Sequence, residues 1–138
     1  MMMTCDEAAE VHFGTLLGYE RLASENGTAI VELRLRAEHG NRGGTVHGGV
    51  LMTLLDTAGM WASCVPGEVS TGATVSMSCN FLSAVPLQKY EVVQARARIA
   101  RRGRTLYFAD ISAYALPGEK LVATAQAVFS IPVAVSAT

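Results

Sequence analysis

The chain has 138 residues, of which 50% are hydrophobic and 17% charged, with 11 Lys and Arg against 12 Asp and Glu. That length and apolar content predict one domain over residues 1–138 and exclude a wholly disordered chain. The net charge of -1 excludes a nucleic-acid binder driven by bulk positive charge, and no apolar run spans a bilayer, because Asp56 and several Thr and Ser interrupt the best candidate.

In chain order, residues 4–12 read as a short helix, with Thr4 as N-cap and Glu7 three positions on. Segments 19–25 and 28–36 flank Asn26-Gly27, a strong hairpin signal. In the second of them Ala29, Val31, Leu33 and Leu35 alternate with Glu32, Arg34 and Arg36, the period of a half-buried strand. Residues 37–47, rich in Gly and polar groups, read as a loop. From Gly48 to about Cys64 the period changes. Leu51, Leu54, Leu55, Ala58 and Trp61 recur at helical spacing, and Val50, Met52 and Ala62 fill the other faces. A helix apolar nearly all round is expected to be buried, and Pro66-Gly67 is its stop. Segments 70–82, 90–101, 105–116 and 121–131 have the length and period of strands. Val93, Ala95, Ala97 and Ile99 form one face of the second, and Leu121, Ala123, Ala125, Ala127, Phe129 and Ile131 one face of the last. Arg102-Gly103 and Pro117-Gly118 mark tight connections. The architecture predicted is α+β, a curved antiparallel sheet wrapped around one long central helix.

Cys5, Cys64 and Cys79 are odd in number and lack paired spacing, so no disulfide framework is expected. A reducing, cytoplasmic setting fits them, with Cys64 and Cys79 as small buried hydrophobes. The start, Met1 to Glu7, lacks the basic-then-apolar order of a secretory signal. No CxxC or HxxxH pair suggests a metal, and His12 and His39 read as surface residues.

The chemistry concentrates in one stretch. Between Gly43 and Gln88 there is no Lys or Arg, and the only acids are Glu68, in a turn, and Asp56, in mid-helix among Leu54, Leu55, Ala58 and Met60. An ionised carboxylate there costs several kcal/mol unless paired, and Asp is a poor helix-interior residue. Two local rules broken at one position suggest a functional group; otherwise Asp56 meets solvent or caps a neighbouring strand. His47-Gly48-Gly49 opens the helix, where backbone N–H groups lack intrahelical partners and carry partial positive charge. Glycines let a ligand oxygen come close, as in an oxyanion hole; alternatively they make only a tight bend. Asp56 lies eight residues after Gly48, hence about 12 Å along the helix axis. One carboxylate and one donor so far apart cannot meet on a single carbonyl. If both act together, a second copy must bring its helix alongside in the opposite sense, giving a two-fold dimer with composite sites. Asn41 and His47 add neutral hydrogen-bonding groups at the same end. Arg101, Arg102 and Arg104 surround Gly103 at a hairpin tip, either as a phosphate site or as charges that guard a sheet edge. There is no G-x-S-x-G elbow for serine-based acyl transfer.

The stretch Asn41-Arg42-Gly43-Gly44-Thr45-Val46-His47-Gly48-Gly49, followed by Asp56 nine residues after the His, resembles the hotdog-fold acyl-CoA thioesterases of the phenylacetate-degradation (PaaI-like) type. Residues 74–82 and Arg101-Arg102-Gly103-Arg104-Thr105-Leu106 extend the resemblance, which covers about residues 15–131. It implies hydrolysis of an acyl-CoA thioester to a free acid and CoA. Asp56 would be nucleophile or general base, and Gly48 would hold the thioester oxygen. Asn41 and His47 of the other subunit would help position the thioester or the attacking water, and Thr74 would orient a water. Gly49, Phe81, Arg101, Arg102, Gly103 and Arg104 would contact the CoA-bearing substrate. No cofactor is implied, since CoA belongs to the substrate. The family's usual assembly is a homotetramer, a dimer of helix-paired dimers. The chain departs from the pattern at Ser76, where many relatives carry Asp, and at Ser83, where many carry Arg.

Two other functions fit the same fold. A hydratase or dehydratase would change enoyl-CoA absorbance without releasing thiol, and a non-catalytic acyl-CoA binding module would bind without turnover. Met52, Met60, Trp61 and Phe81 can line an acyl tunnel or simply pack the core.

Overall fold

The computed structural model describes residues 9–64 and 72–131. Six strands form one antiparallel sheet in the order β1-β2-β4-β5-β6-β3. They are β1 (Glu20–Glu25), β2 (Thr28–Arg34), β3 (Thr74–Phe81), β4 (Val92–Arg102), β5 (Leu106–Leu116) and β6 (Lys120–Ser130). A five-residue helix α1 (Phe13–Leu17) precedes them, and the long helix α2 (Gly48–Trp61) packs across β2, β4, β5, β6 and β3. This is the curved sheet around a helix that the sequence predicts, the hotdog arrangement.

Alternation explains the packing. Ala29, Val31 and Leu33 of β2, Val93, Ala95 and Ala97 of β4, and Ala109, Ile111, Ala113 and Ala115 of β5 are all buried. They face Leu51, Leu54, Leu55 and Ala58 of α2 within one core. Small residues dominate the sheet's inner face, so the helix can seat close against it. Full burial of each large side chain, such as Leu54 or Leu55, contributes roughly 1.5–3 kcal/mol. At the C-terminal end of α2 the Tyr107 and Phe129 rings stack at 5.0 Å. The Tyr107 hydroxyl donates toward the carbonyls of Gly59, at 3.0 Å, and Met60, at 3.2 Å. The β1–β2 hairpin turns at Asn26-Gly27, with Gly27 at φ +85° where a side chain would be strained.

Several expectations are corrected. Residues 9–12 are not helical; Thr4 and Glu7 lie outside the described residues. The short helix starts at Phe13, because His12 Nδ1 accepts from Gly14 N–H at 3.0 Å and caps it. α2 stops at Trp61, short of Cys64, and Pro66-Gly67 lies outside the described residues. Nor is α2 buried all round: Met52 is 41% exposed and Gly49 is exposed. Leu121, expected on the buried face of β6, is exposed, because a register shift pairs Ala113 with Ala123 and Tyr114 with Leu121 and so turns Val122 inward. His39 is not a surface residue but 1% exposed. Cys64 is buried as expected but is disulfide-bonded, while Cys79 is free and only half-buried. Cysteine spacing shows no such bond, since a disulfide is set by proximity in space.

Candidate active site

Asp56 sits in mid-helix and is half-buried. Its Oδ1 accepts from the Thr74 hydroxyl at 2.6 Å, a short charge-assisted bond that orients the carboxylate. The contact depends on a β-bulge. Met77, Cys79 and Phe81 pair with Ala127, Ala125 and Ala123, all buried, and so face α2. Plain alternation would turn Thr74 to the other side, but the register shifts between Thr74 and Ser76 and pairs Thr74 with buried Phe129. The extra residue re-aims Thr74 onto Asp56. Oδ2 has no hydrogen-bond partner among the described residues.

At the other end of α2, His47 is the N-cap, its Nδ1 accepting from Gly49 N–H at 2.8 Å. The N–H groups of Val50 and Leu51 reach the His47 carbonyl at 2.9 and 3.3 Å. Of the first four helix donors, Gly48 N–H alone has no acceptor among the described residues. Gly49 serves the cap: a Cβ there would lie 3.0 Å from His47 Nδ1. Since Nδ1 accepts, Nε2 of the half-ring outside the cap is the donor. A cleft of about 320 Å³, lined by Val46, Gly48, Leu51, Phe81 and residues 82–85, opens at Gly48. A Cβ on Gly48 would stand 3.7 Å from the Phe81 ring, so Phe81 packs beside Gly48.

Asn41 spends its side chain within its own loop. Oδ1 accepts from Gly43 N–H at 2.9 Å and Thr45 N–H at 3.2 Å, and Nδ2 donates to the Thr45 hydroxyl at 2.8 Å. The loop is tied down by Val46 N–H to the Val85 carbonyl, 2.9 Å, and Leu87 N–H to the Gly44 carbonyl, 3.0 Å. Asn41 thus shapes the entry to α2, and among the described residues nothing links it directly to Asp56.

The geometry is therefore a carboxylate and an open helix-terminal donor on one helix, about 12 Å apart. The Thioesterase superfamily profile matches residues 43–125, which include His47, Gly48, Asp56, Thr74 and Arg101–Arg104. The chain belongs to the thioesterase superfamily. It is 30% identical to acyl-coenzyme A thioesterase 13 of Homo sapiens over 113 residues, 81% of this chain and 79% of that protein. Among solved structures, zebra fish thioesterase superfamily member 2 superposes with TM-score 0.75 at 28% identity, covering 88% of this chain and 87% of that one. A mutant of the phenylacetic acid degradation protein PaaI from Thermus thermophilus gives TM-score 0.75 at 26% identity, covering 87% and 98%. The chain is a hotdog thioester hydrolase of the PaaI-like type.

In this thioesterase the β4–β5 tip carries Arg101, Arg102 and Arg104, all exposed and without a salt-bridge partner among the described residues. The tip lies at the C-terminal end of α2, where Arg102 lines a cleft together with Ala62 and Ser63, just past the helix end. Two further residues lie near the site, and no motif in the sequence marks either as part of it. Cys79 faces Asp56 from β3; burial, and then the negative charge of Asp56, push its thiol above 9.0 and keep it protonated at neutral pH. His39 is buried under the loop, with Nδ1 accepting from Arg36 N–H at 2.9 Å and Nε2 2.8 Å from the Leu17 carbonyl. The pair of bonds defines the tautomer with the proton on Nε2. The His39 carbonyl accepts from His47 N–H at 2.9 Å, so His39 anchors the residue that caps α2.

Proposed function

We propose that this thioesterase hydrolyses an acyl-CoA thioester to a free carboxylic acid and CoA, at a site shared between two copies of the chain. One observation carries the reading: Asp56, aligned by Thr74 with one oxygen uncommitted among the described residues, stands on the same helix as Gly48 N–H, which has no acceptor among them, but about 12 Å from it. Reacting groups must lie within about 3–3.5 Å, so the thioester carbonyl would meet Asp56 of one subunit and Gly48 of the other. The edge strand β3 supports the pairing. It has eight residues, no charge and no proline, and Val75 and Phe81 on it are exposed. Edges of that kind are normally guarded or paired, and antiparallel pairing of β3 with its own copy sets the two α2 helices side by side.

In the mechanism, Asp56 Oδ2 takes a proton from water as the water oxygen attacks the carbonyl carbon. The developing oxyanion is held by Gly48 N–H and the positive end of the α2 dipole. Collapse breaks the C–S bond, and the CoA sulfur leaves with a proton returned from Asp56. The same placement permits direct attack by the carboxylate, giving a mixed anhydride that water then opens. Oxygen-18 from labelled water entering the Asp56 side chain in a single turnover would mark that second route. Exposed Arg101, Arg102 and Arg104 suit the phosphates of CoA. The test is thiol release from a panel of acyl-CoAs. Asp56→Asn is expected to lower kcat at least ~100-fold with the fold intact, the scale of general base catalysis. Equal turnover by the variant and the wild type would contradict the assignment.

A further inference from the structure

The sheet covers one stripe of α2 least: Gly49 and Met52 are exposed and Thr53 and Asp56 half-buried, at the three- and four-residue spacing of one helix face. Met52 is the one large exposed hydrophobic of that helix, at 41%. It also stands midway between Gly48 and Asp56. If Asp56 faces the partner's Gly48, and Gly48 faces the partner's Asp56, the two-fold axis crosses α2 at that midpoint. A residue on such an axis meets its own copy, so Met52 faces the partner's Met52.

The substrate's two arms then have different directions. The polyanionic arm goes outward, to the C-terminal end of α2, where Arg102 lines a cleft with Ala62 and Ser63 and where Arg101, Arg102 and Arg104 have no salt-bridge partners among the described residues. The acyl arm runs the other way from Asp56, along α2 toward the axis. It travels beside the row of Met77 and Cys79, which face the helix from β3. From Asp56 to Met52 the distance along the helix is about 6 Å. Resting on the shared-site reading above, we propose that Met52 and the partner's Met52 form one end wall common to both acyl pockets and thereby set the length of acyl group accepted. The unbranched, polarizable thioether can swing between rotamers. With that wall about 6 Å along the helix from Asp56, the substrate class that fits is the aliphatic acyl-CoA of short to medium length.

The experiment compares kcat/KM for butyryl-, hexanoyl-, octanoyl- and dodecanoyl-CoA in the wild type, Met52→Ala and Met52→Phe. A wall shortened in the first variant and thickened in the second moves the preferred length up and down respectively. The ratio of long-chain to short-chain kcat/KM changes at least ~10-fold, the scale of one methylene in an apolar pocket. If both variants scale every substrate by the same factor, the wall proposal is overturned. If the wild type hydrolyses none of the series but cleaves other acyl-CoAs, the substrate class is overturned; no acyl-CoA turnover at all overturns the functional reading instead. A second measurement needs no turnover. Met52→Cys, treated with a short bis-maleimide, is expected to run as a covalent dimer on a reducing gel, well above the wild-type background, whereas Met60→Cys is not. Cross-linking no greater at position 52 than at position 60 overturns the axial placement.

Discussion

The Thr74 hydroxyl is the one described group that holds Asp56, and a hydrogen bond to a charged group is worth roughly 1.5–3 kcal/mol. Thr74→Val is therefore expected to lower kcat by about 10- to 100-fold, less than Asp56→Asn, with Thr74→Ser restoring most of it. A Thr74→Val enzyme with wild-type kcat would remove Thr74 from the mechanism. A second residue reports on the packing of α2. Burial pushes the Tyr107 phenol from 10.0 up to about 12, opposed by a hydrogen bond with Ser63 and by Arg102, with Asp56 adding to the rise. Its folded-state pKa is raised, so its contribution to stability is complete below pH 10 and is lost as pH rises through 12. The loss is at most about 2–3 kcal/mol. Urea denaturation at stepped pH should show wild type weakening over that window more than Tyr107→Phe does. Parallel curves would show that the phenol does not titrate with folding.

At the scale of elements, α2 is placed by what lies beneath Gly59. A Cβ there would come within 2.6 Å of the Phe129 ring and 3.3 Å of Ile111 Cδ1. Gly59→Ala must therefore shift α2 or the Tyr107–Phe129 stack, and overpacking of this kind costs about 1–3 kcal/mol. The expected result is a lower urea midpoint with unchanged slope; no change would mean the helix has slack. Much of this element was legible in advance. Leu51, Leu54, Leu55, Ala58 and Trp61 have helical spacing, and the separation of Gly48 from Asp56 follows from it. The Asn26-Gly27 turn was equally plain. The bulge was not, because neither Gly nor Pro marks residues 74–76, and simple alternation turns Thr74 away from Met77, Cys79 and Phe81. His39 was hidden for a different reason. Its burial depends on the Leu17 carbonyl, 22 residues away, which no local pattern announces. Asn41 was visible as a motif residue, but the bonds it makes are those of a loop staple.

For the whole molecule the account turns on two copies completing each site. Gly48→Pro isolates the donor half: proline suits the first position of a helix and has no N–H. His47, at φ -61° and ψ 136°, already has the extended backbone that a following proline demands. Loss of one oxyanion donor is expected to cost about 100- to 1,000-fold in kcat. The most direct measurement mixes Gly48→Pro with Asp56→Asn, each nearly inactive alone, after reversible dissociation. A hybrid dimer would carry one site with both defects and one with neither. Random pairing in equal amounts then predicts recovery of about a quarter of wild-type activity. A mixture no more active than its two components, with hybrid formation verified by mass, would contradict the shared site.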